Sequence, residues 1–189
     1  LPDVKFYPNM GIQKALASFG TTLSVMQELD RITRITEELC DDLVKFGTSR
    51  AEIRFAPQLH CGGEIESVVD AAVTGLKPRF NLILCGLYGE PPEVLDNLVK
   101  AAKTRSRVVG IDLAGSPLEE HKWGLMDYSR PFTEALRLGL GRTVHAGEGR
   151  PAEEIKMAIK HLHAQRIGHG LSVLGDRELV DVVRQKRIH

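Results

Sequence analysis

The sequence has no surplus of charge of either sign: its 25 lysines and arginines are balanced by 25 aspartates and glutamates. Without a basic excess the chain has little to condense on a phosphate backbone or an anionic bilayer, so nucleic-acid binding and membrane-surface binding are not expected. Any ligand is therefore expected in a pocket. Long apolar runs are also missing, since none approaches the ~18 to 20 residues needed to cross a bilayer. The opening Leu1-Pro2-Asp3-Val4-Lys5 lacks the basic-then-apolar order of a signal peptide, which points to the cytoplasm. Cysteine is scarce: Cys40, Cys61 and Cys85 are odd in number and form no C-x-x-C pair. That argues against a disulfide framework and against an all-cysteine zinc site. Low-complexity tracts and linkers are absent, so a single domain over residues 1–189 is the expectation, with Leu1 in place of a methionine suggesting residues upstream.

The pattern that is present alternates. Val25/Met26, Leu29, Ile32, Ile35, Leu39, Leu43 and Phe46 recur at three- and four-residue steps and predict one long helix from Thr21 to Phe46, terminated at Gly47. Residues 51–56 alternate with a period of two and run into Pro57, a strand. Helical spacing returns from Ile65 to Leu76, and Phe80 to Leu87 is the mostly apolar run of a strand buried on both faces. A helix from Pro92, a strand over Val108 to Leu113, a helix around Arg130 to Leu138 and a strand over Thr143 to His145 follow. Pro151 opens another helix with Glu153 and Glu154 in its first turn, where the helix dipole favours anions. A strand at Arg166 to His169, a helix from Asp176 to about Gln185 and a strand starting at Ile188 complete the chain.

Strand and helix alternating every ~20 to 35 residues imply βαβ units and a parallel sheet. Length favours a doubly wound sheet, because an eight-stranded barrel takes ~250 residues. Two features favour the barrel: no G-x-G-x-x-G or G-x-x-x-x-G-K loop follows an early strand, and polar residues stand at the C-terminal tips of several successive strands.

Two of those tips carry histidine among glycines. Arg142-Thr-Val-His-Ala-Gly-Glu148 places His145 and Glu148 around a glycine turn, and Arg166-Ile-Gly-His-Gly170 presents His169 at the next strand. A neutral imidazole suits zinc, and a carboxylate that stays off the metal can move protons. An isolated strand histidine is more often a structural or surface residue. Two at neighbouring strand ends with a glutamate shift the balance toward a site.

With Gly110-Ile-Asp-Leu-Ala-Gly115 and Ile53-Arg-Phe-Ala-Pro-Gln-Leu59, these two segments resemble the adenosine deaminase family of the amidohydrolase superfamily, in the family's order and over nearly the whole chain. The resemblance implies an α/β fold of parallel βα repeats, part of a (β/α)8 TIM barrel with a zinc ion, Zn2+. It implies hydrolytic deamination of adenosine or a related aminopurine to the inosine-type product and ammonia. By the same resemblance His145 is a zinc ligand, and Glu148 is the acid that protonates the purine ring beside the attacked carbon. His169 orients and deprotonates the zinc-bound water, and the Gly115 backbone N–H holds another ring nitrogen.

The His-x-His pair of the family's first strand and the Asp-Asp pair of its last do not occur in this sequence. One imidazole cannot make a tetrahedral zinc site. The expectation is an incomplete barrel lacking its first and last strands, the interior of a longer enzyme. The competing reading is an inactive fragment or purine-binding scaffold without metal. An isolated arc is further expected to self-associate through exposed sheet edges. Ser116-Pro117 stand where the family commonly has acidic residues, so relatives' substrates such as adenine or N6-modified AMP stay open. Arg54 and Asp112 are expected to form an internal ion pair, and Cys85 to be a buried small residue. His60, His121, His161, His163 and His189 lack the glycine-framed setting. Trp123 and Tyr128 are read equally as a loop over the pocket or as local packing.

Overall fold

A computed structural model of the chain describes residues 5, 7–10, 12–115 and 117–189; Ser116 therefore lies outside the described residues. The residues form two compact units, one of Leu1–Ala51 with Pro57–Phe80, the other of Glu52–Ala56 with Asn81–His189.

The first unit contains helices α1 (Ile12–Ser24), α2 (Leu29–Lys45) and α3 (Ile65–Gly75). The single helix expected over Thr21 to Phe46 is thus two helices, broken at residues 25–28. Hydroxyls at the end of α1 compete for backbone carbonyls, Thr22 with Phe19 at 2.8 Å and Ser24 with Thr21 at 2.7 Å. Beyond them, contacts from distant residues replace the helical ladder. His60 Nδ1 donates to the Met26 carbonyl at 2.9 Å, and the Gln27 amide bonds Leu59 O and Cys61 N. The period of the apolar residues runs through this break, so it gave no warning. α2 ends as expected: Gly47 takes φ +80, with Gly47 N bonded to Val44 O and Thr48 N to Leu43 O, a Schellman closure. α2 and α3 bury Ile32, Cys40, Val68, Val69 and Ala72. They approach closely at Gly75, where a Cβ would stand 2.3 Å from the Thr33 carbonyl oxygen.

The second unit is built on five strands, β1 (Ala51–Phe55), β2 (Phe80–Leu87), β3 (Val108–Ala114), β4 (Gly141–Ala146) and β5 (Arg166–His169). They lie side by side in chain order, and β2–β3, β3–β4 and β4–β5 pair in parallel. Helices α4 (Pro92–Lys103), α5 (Ser129–Arg137), α6 (Ala152–His161) and α7 (Arg177–Lys186) follow β2 to β5 in turn. A doubly wound sheet would show a reversal in strand order. There is none. Curvature follows from one ion pair: Glu52 on β1 reaches Arg166 on β5. In a flat sheet those strands would be roughly 19 Å apart, four spacings of about 4.8 Å, beyond the reach of two side chains. The sheet therefore curls as consecutive strands of a (β/α)8 barrel do. Where a strand was expected to start at Ile188, no strand is assigned, but His189 N bonds Gln165 O and Ile167 N bonds His189 O, a parallel-type pair of bonds beside β5.

β2 is buried almost throughout, as its unbroken apolar run predicted. α4 lays Leu95 against it so closely that a Cβ on Gly86 would stand 2.9 Å from Leu95 Cδ1.

Candidate active site

Four consecutive strands each contribute one side chain to a single polar file. Arg54 of β1, Cys85 of β2, Asp112 of β3 and His145 of β4 meet around the Asp112 carboxylate, which has no solvent exposure. Arg54 Nη1 lies 3.0 Å from Oδ2, Cys85 Sγ donates to the same oxygen at 3.7 Å, and His145 Nδ1 stands 3.1 Å from Oδ1. A carboxylate costs several kcal/mol to bury unless charge and hydrogen bonds compensate it, and here all of them do. The expected Arg54–Asp112 ion pair is present. Burial pushes the Cys85 thiol well above its ordinary range, with the Asp112 charge adding to the effect. That keeps Cys85 a neutral donor.

Asp112 can only accept from His145 Nδ1, so the ring's Nε2 is left as the free lone pair. Room for the ring comes from the neighbouring strand. His145 pairs with Gly168 in the ladder, and a Cβ there would lie 2.9 Å from the ring's Cγ and Cδ2.

Beyond His145 the chain turns at Gly147, φ +77, and delivers Glu148. On the adjacent strand His169 takes φ +62, a left-handed conformation that costs a non-glycine residue about 1–2 kcal/mol. The turn brings His169 Nε2 to 3.2 Å from Glu148 Oε2, with the His145 and His169 ring centroids 5.3 Å apart. Glu148 and His169 are partly exposed, whereas His145 is nearly buried. Gly115, at the tip of β3 with φ +79, lines the same small pocket as His145, Glu148 and His169. All four residues singled out from the sequence thus converge at the C-terminal tips of β3, β4 and β5, the face on which barrels carry their sites.

His145 has the arrangement of a metal-ligating imidazole, one nitrogen bound to a carboxylate and the other free. No group of three or more His, Cys, Asp or Glu side chains able to hold a metal ion occurs among the described residues. The described donor set thus fits one ligand and falls short of a complete shell.

Other residues at the site carried weaker sequence signals. Tyr88, just past β2, is buried and donates its hydroxyl to the His145 carbonyl at 3.0 Å; burial raises its pKa, so it remains a donor. A polar residue at a strand tip was the available hint. Glu154 accepts from Gly147 N at 3.0 Å, although its position in a helix's first turn pointed only to the dipole. Four of the five remaining histidines make bonds away from these strand tips. His60 is buried against Met26 O, His121 Nδ1 accepts from Leu118 N, His163 stands 3.4 Å from Thr133 Oγ1, and the His189 backbone bonds beside β5. Tyr128 is packing: buried, it accepts from Gly89 N and donates to Glu90 O. Trp123 is half-buried with Lys122 Nζ over its ring.

The sequence model of the adenosine deaminase family matches residues 4–189. An adenosine deaminase from Clostridium kluyveri is 36% identical over 192 residues, which cover 94% of this chain and 53% of that protein. Among solved structures, the N6-methyl-AMP deaminase of Arabidopsis thaliana superposes with a TM-score of 0.79 at 23% identity, covering 94% of this chain and 56% of the other. An amidohydrolase from Burkholderia ambifaria with bound zinc gives 0.79 at 21% identity over 90% of this chain and 51% of its own. At these identities the structural matches establish the fold. The chain spans about half the length of the curated relatives it matches.

Proposed function

Since the chain belongs to the adenosine deaminase family, we propose that it forms the proton-transfer half of a hydrolytic deaminase acting on adenosine or a related aminopurine. The observation that carries this reading is the convergence of Gly115, His145, Glu148 and His169 on one pocket. Glu148 holds the proton for the purine ring nitrogen beside the carbon under attack. Protonation makes that carbon electrophilic and lets ammonia leave. His169, whose Nε2 lies 3.2 Å from Glu148 Oε2, orients the water nucleophile and accepts its proton. The Gly115 N–H bonds a second ring nitrogen, fixing the face of the purine presented to Glu148. His145 Nε2 would hold a zinc ion, which when bound would supply Lewis-acid activation of the water. Three free cysteines favour a reducing setting such as the cytoplasm.

A second reading, a purine-binding scaffold without metal, draws on the incomplete donor set. Metal analysis and an ultraviolet deamination assay on the chain with added zinc separate the two. Turnover that falls by about 10²- to 10⁴-fold in Glu148→Gln, with nucleoside binding retained, supports the deaminase. Nucleoside binding with neither metal nor turnover supports the scaffold, and absence of nucleoside binding removes both.

A further inference from the structure

Glu154 is the third residue of α6, and the N-cap of that helix is Pro151. A glutamate at this position ordinarily reaches back to the N-cap's backbone N–H. Proline has none. The carboxylate, nearly buried at 10% exposure, reaches out instead, one oxygen accepting from Gly147 N at 3.0 Å and the other from Arg150 Nε at 2.8 Å. Arg150 Nη1 in turn lies 3.5 Å from the carbonyl of Pro117, two residues past Gly115. One carboxylate and one guanidinium therefore connect the turn that carries Glu148 with the loop that carries Gly115.

We propose that Glu154 is a positioning residue for Glu148, and that the Glu154–Arg150 pair sets the span between the Glu148 turn and the Gly115 loop. The inference rests on the deaminase reading, in which each of those two segments bonds a ring nitrogen of the purine. Its physical core is the backbone of Gly147. With φ +77 and no room for a side chain, since a Cβ would stand 2.6 Å from Ser172 Oγ and 2.7 Å from Ile155 Cδ1, this residue sits immediately before Glu148 in a conformation that its own hydrogen bonds must hold. Its carbonyl accepts from Ser172 N at 3.3 Å. Its N–H is fixed only by Glu154 among the described residues. The carbonyl end of the same peptide, Ala146 O, accepts from Gly170 N at 3.0 Å, so with the Glu154 bond gone the Ala146–Gly147 peptide keeps that anchor alone and tilts, and Glu148 shifts away from His169.

Amide exchange and histidine ring 15N spectra of the 189-residue chain test this without depending on turnover. In Glu154→Ala, Gly147 exchange is expected to rise about tenfold, the loss of one hydrogen bond to a charged acceptor. Val144 should stay protected and the His169 ring signal should move. Glu154→Gln, which keeps an acceptor oxygen, should restore both. Unchanged Gly147 protection in Glu154→Ala, or no rescue by Glu154→Gln, overturns the proposal. If Glu154→Ala does not fold, Arg150→Ala decides: it should shift the His169 signal while Gly147 stays protected, and an unmoved signal overturns the proposal. Purine nucleoside titration of the parent chain judges the deaminase reading separately, so either failure is recognised for what it is.

Discussion

His145 Nδ1 stands 3.1 Å from Oδ1 of Asp112, a carboxylate with no solvent exposure whose other oxygen is held by Arg54 at 3.0 Å. The contact fixes the imidazole's tautomer and its ring plane together. Asp112→Asn is expected to turn its amide oxygen to Arg54 and its NH2 to the ring, so that Nδ1 changes from donor to acceptor and the tautomer flips. The loss should be about 1–3 kcal/mol in urea unfolding, the cost of an unmatched buried polar group. A His145 ring 15N spectrum that keeps the same tautomer would contradict this account.

Gly168 is a glycine for reasons of space. Gly168→Ala places a methyl 2.9 Å from His145 ring atoms, so the ring must swing away from Asp112. Overpacking of this kind costs about 1–3 kcal/mol. The expected readout is a lower melting temperature with a shifted His145 signal; an unmoved ring would show that the strand yields instead.

His169 holds a left-handed backbone that glycine adopts freely. Glycine at 169 should therefore be more stable than alanine by about 1 kcal/mol, against the usual order of the two residues. Paired melts of the two variants check this. Alanine equal or better would mean that the turn relaxes.

Asp176 caps α7, accepting from Leu179 N at 3.0 Å and pairing with Lys156 at 2.7 Å. The bond to Lys156, then that to Leu179, holds its carboxyl below the ordinary aspartate range. A depressed folded pKa stabilises above the unfolded value of about 3.9 and loses that contribution as pH falls through the folded value. Melting temperature followed from neutral pH into acid should therefore fall more steeply in the parent chain than in Asp176→Asn. Parallel curves would remove Asp176 as a contributor.

β1 pairs only with β2 among the described strands, leaving an open backbone edge. The chain made alone is expected to associate through such edges. Light scattering that shows a monodisperse, cooperatively melting monomer would end that expectation.

Much of this was legible in one dimension. β2 and β5 fall where an apolar run and a glycine-framed histidine placed them, because burial on both faces and a sharp strand end leave local marks. The positions of the candidate residues were legible for the same reason: His145, Glu148, His169 and Gly115 lie at or just past strand ends, in segments where Gly115, Gly147 and Gly170 take positive φ. What the sequence left open depended on contacts between distant residues. The break between α1 and α2 is stabilised by His60 and Gln27 bonds spanning more than thirty positions, which no local period records. Asp112 read as half of an ion pair, and only the sheet's register brought it to His145. Glu154 read as a helix-dipole acid until the fold placed Gly147 within its reach. By itself the sequence determined which residues could form strands and turns and which could stand at strand tips, since those follow from side-chain size, periodicity and backbone freedom. Only the tertiary structure decided which carboxylate serves which neighbour, because hydrogen bonds and charge pairs act over about 3 Å in space, whatever the separation along the chain.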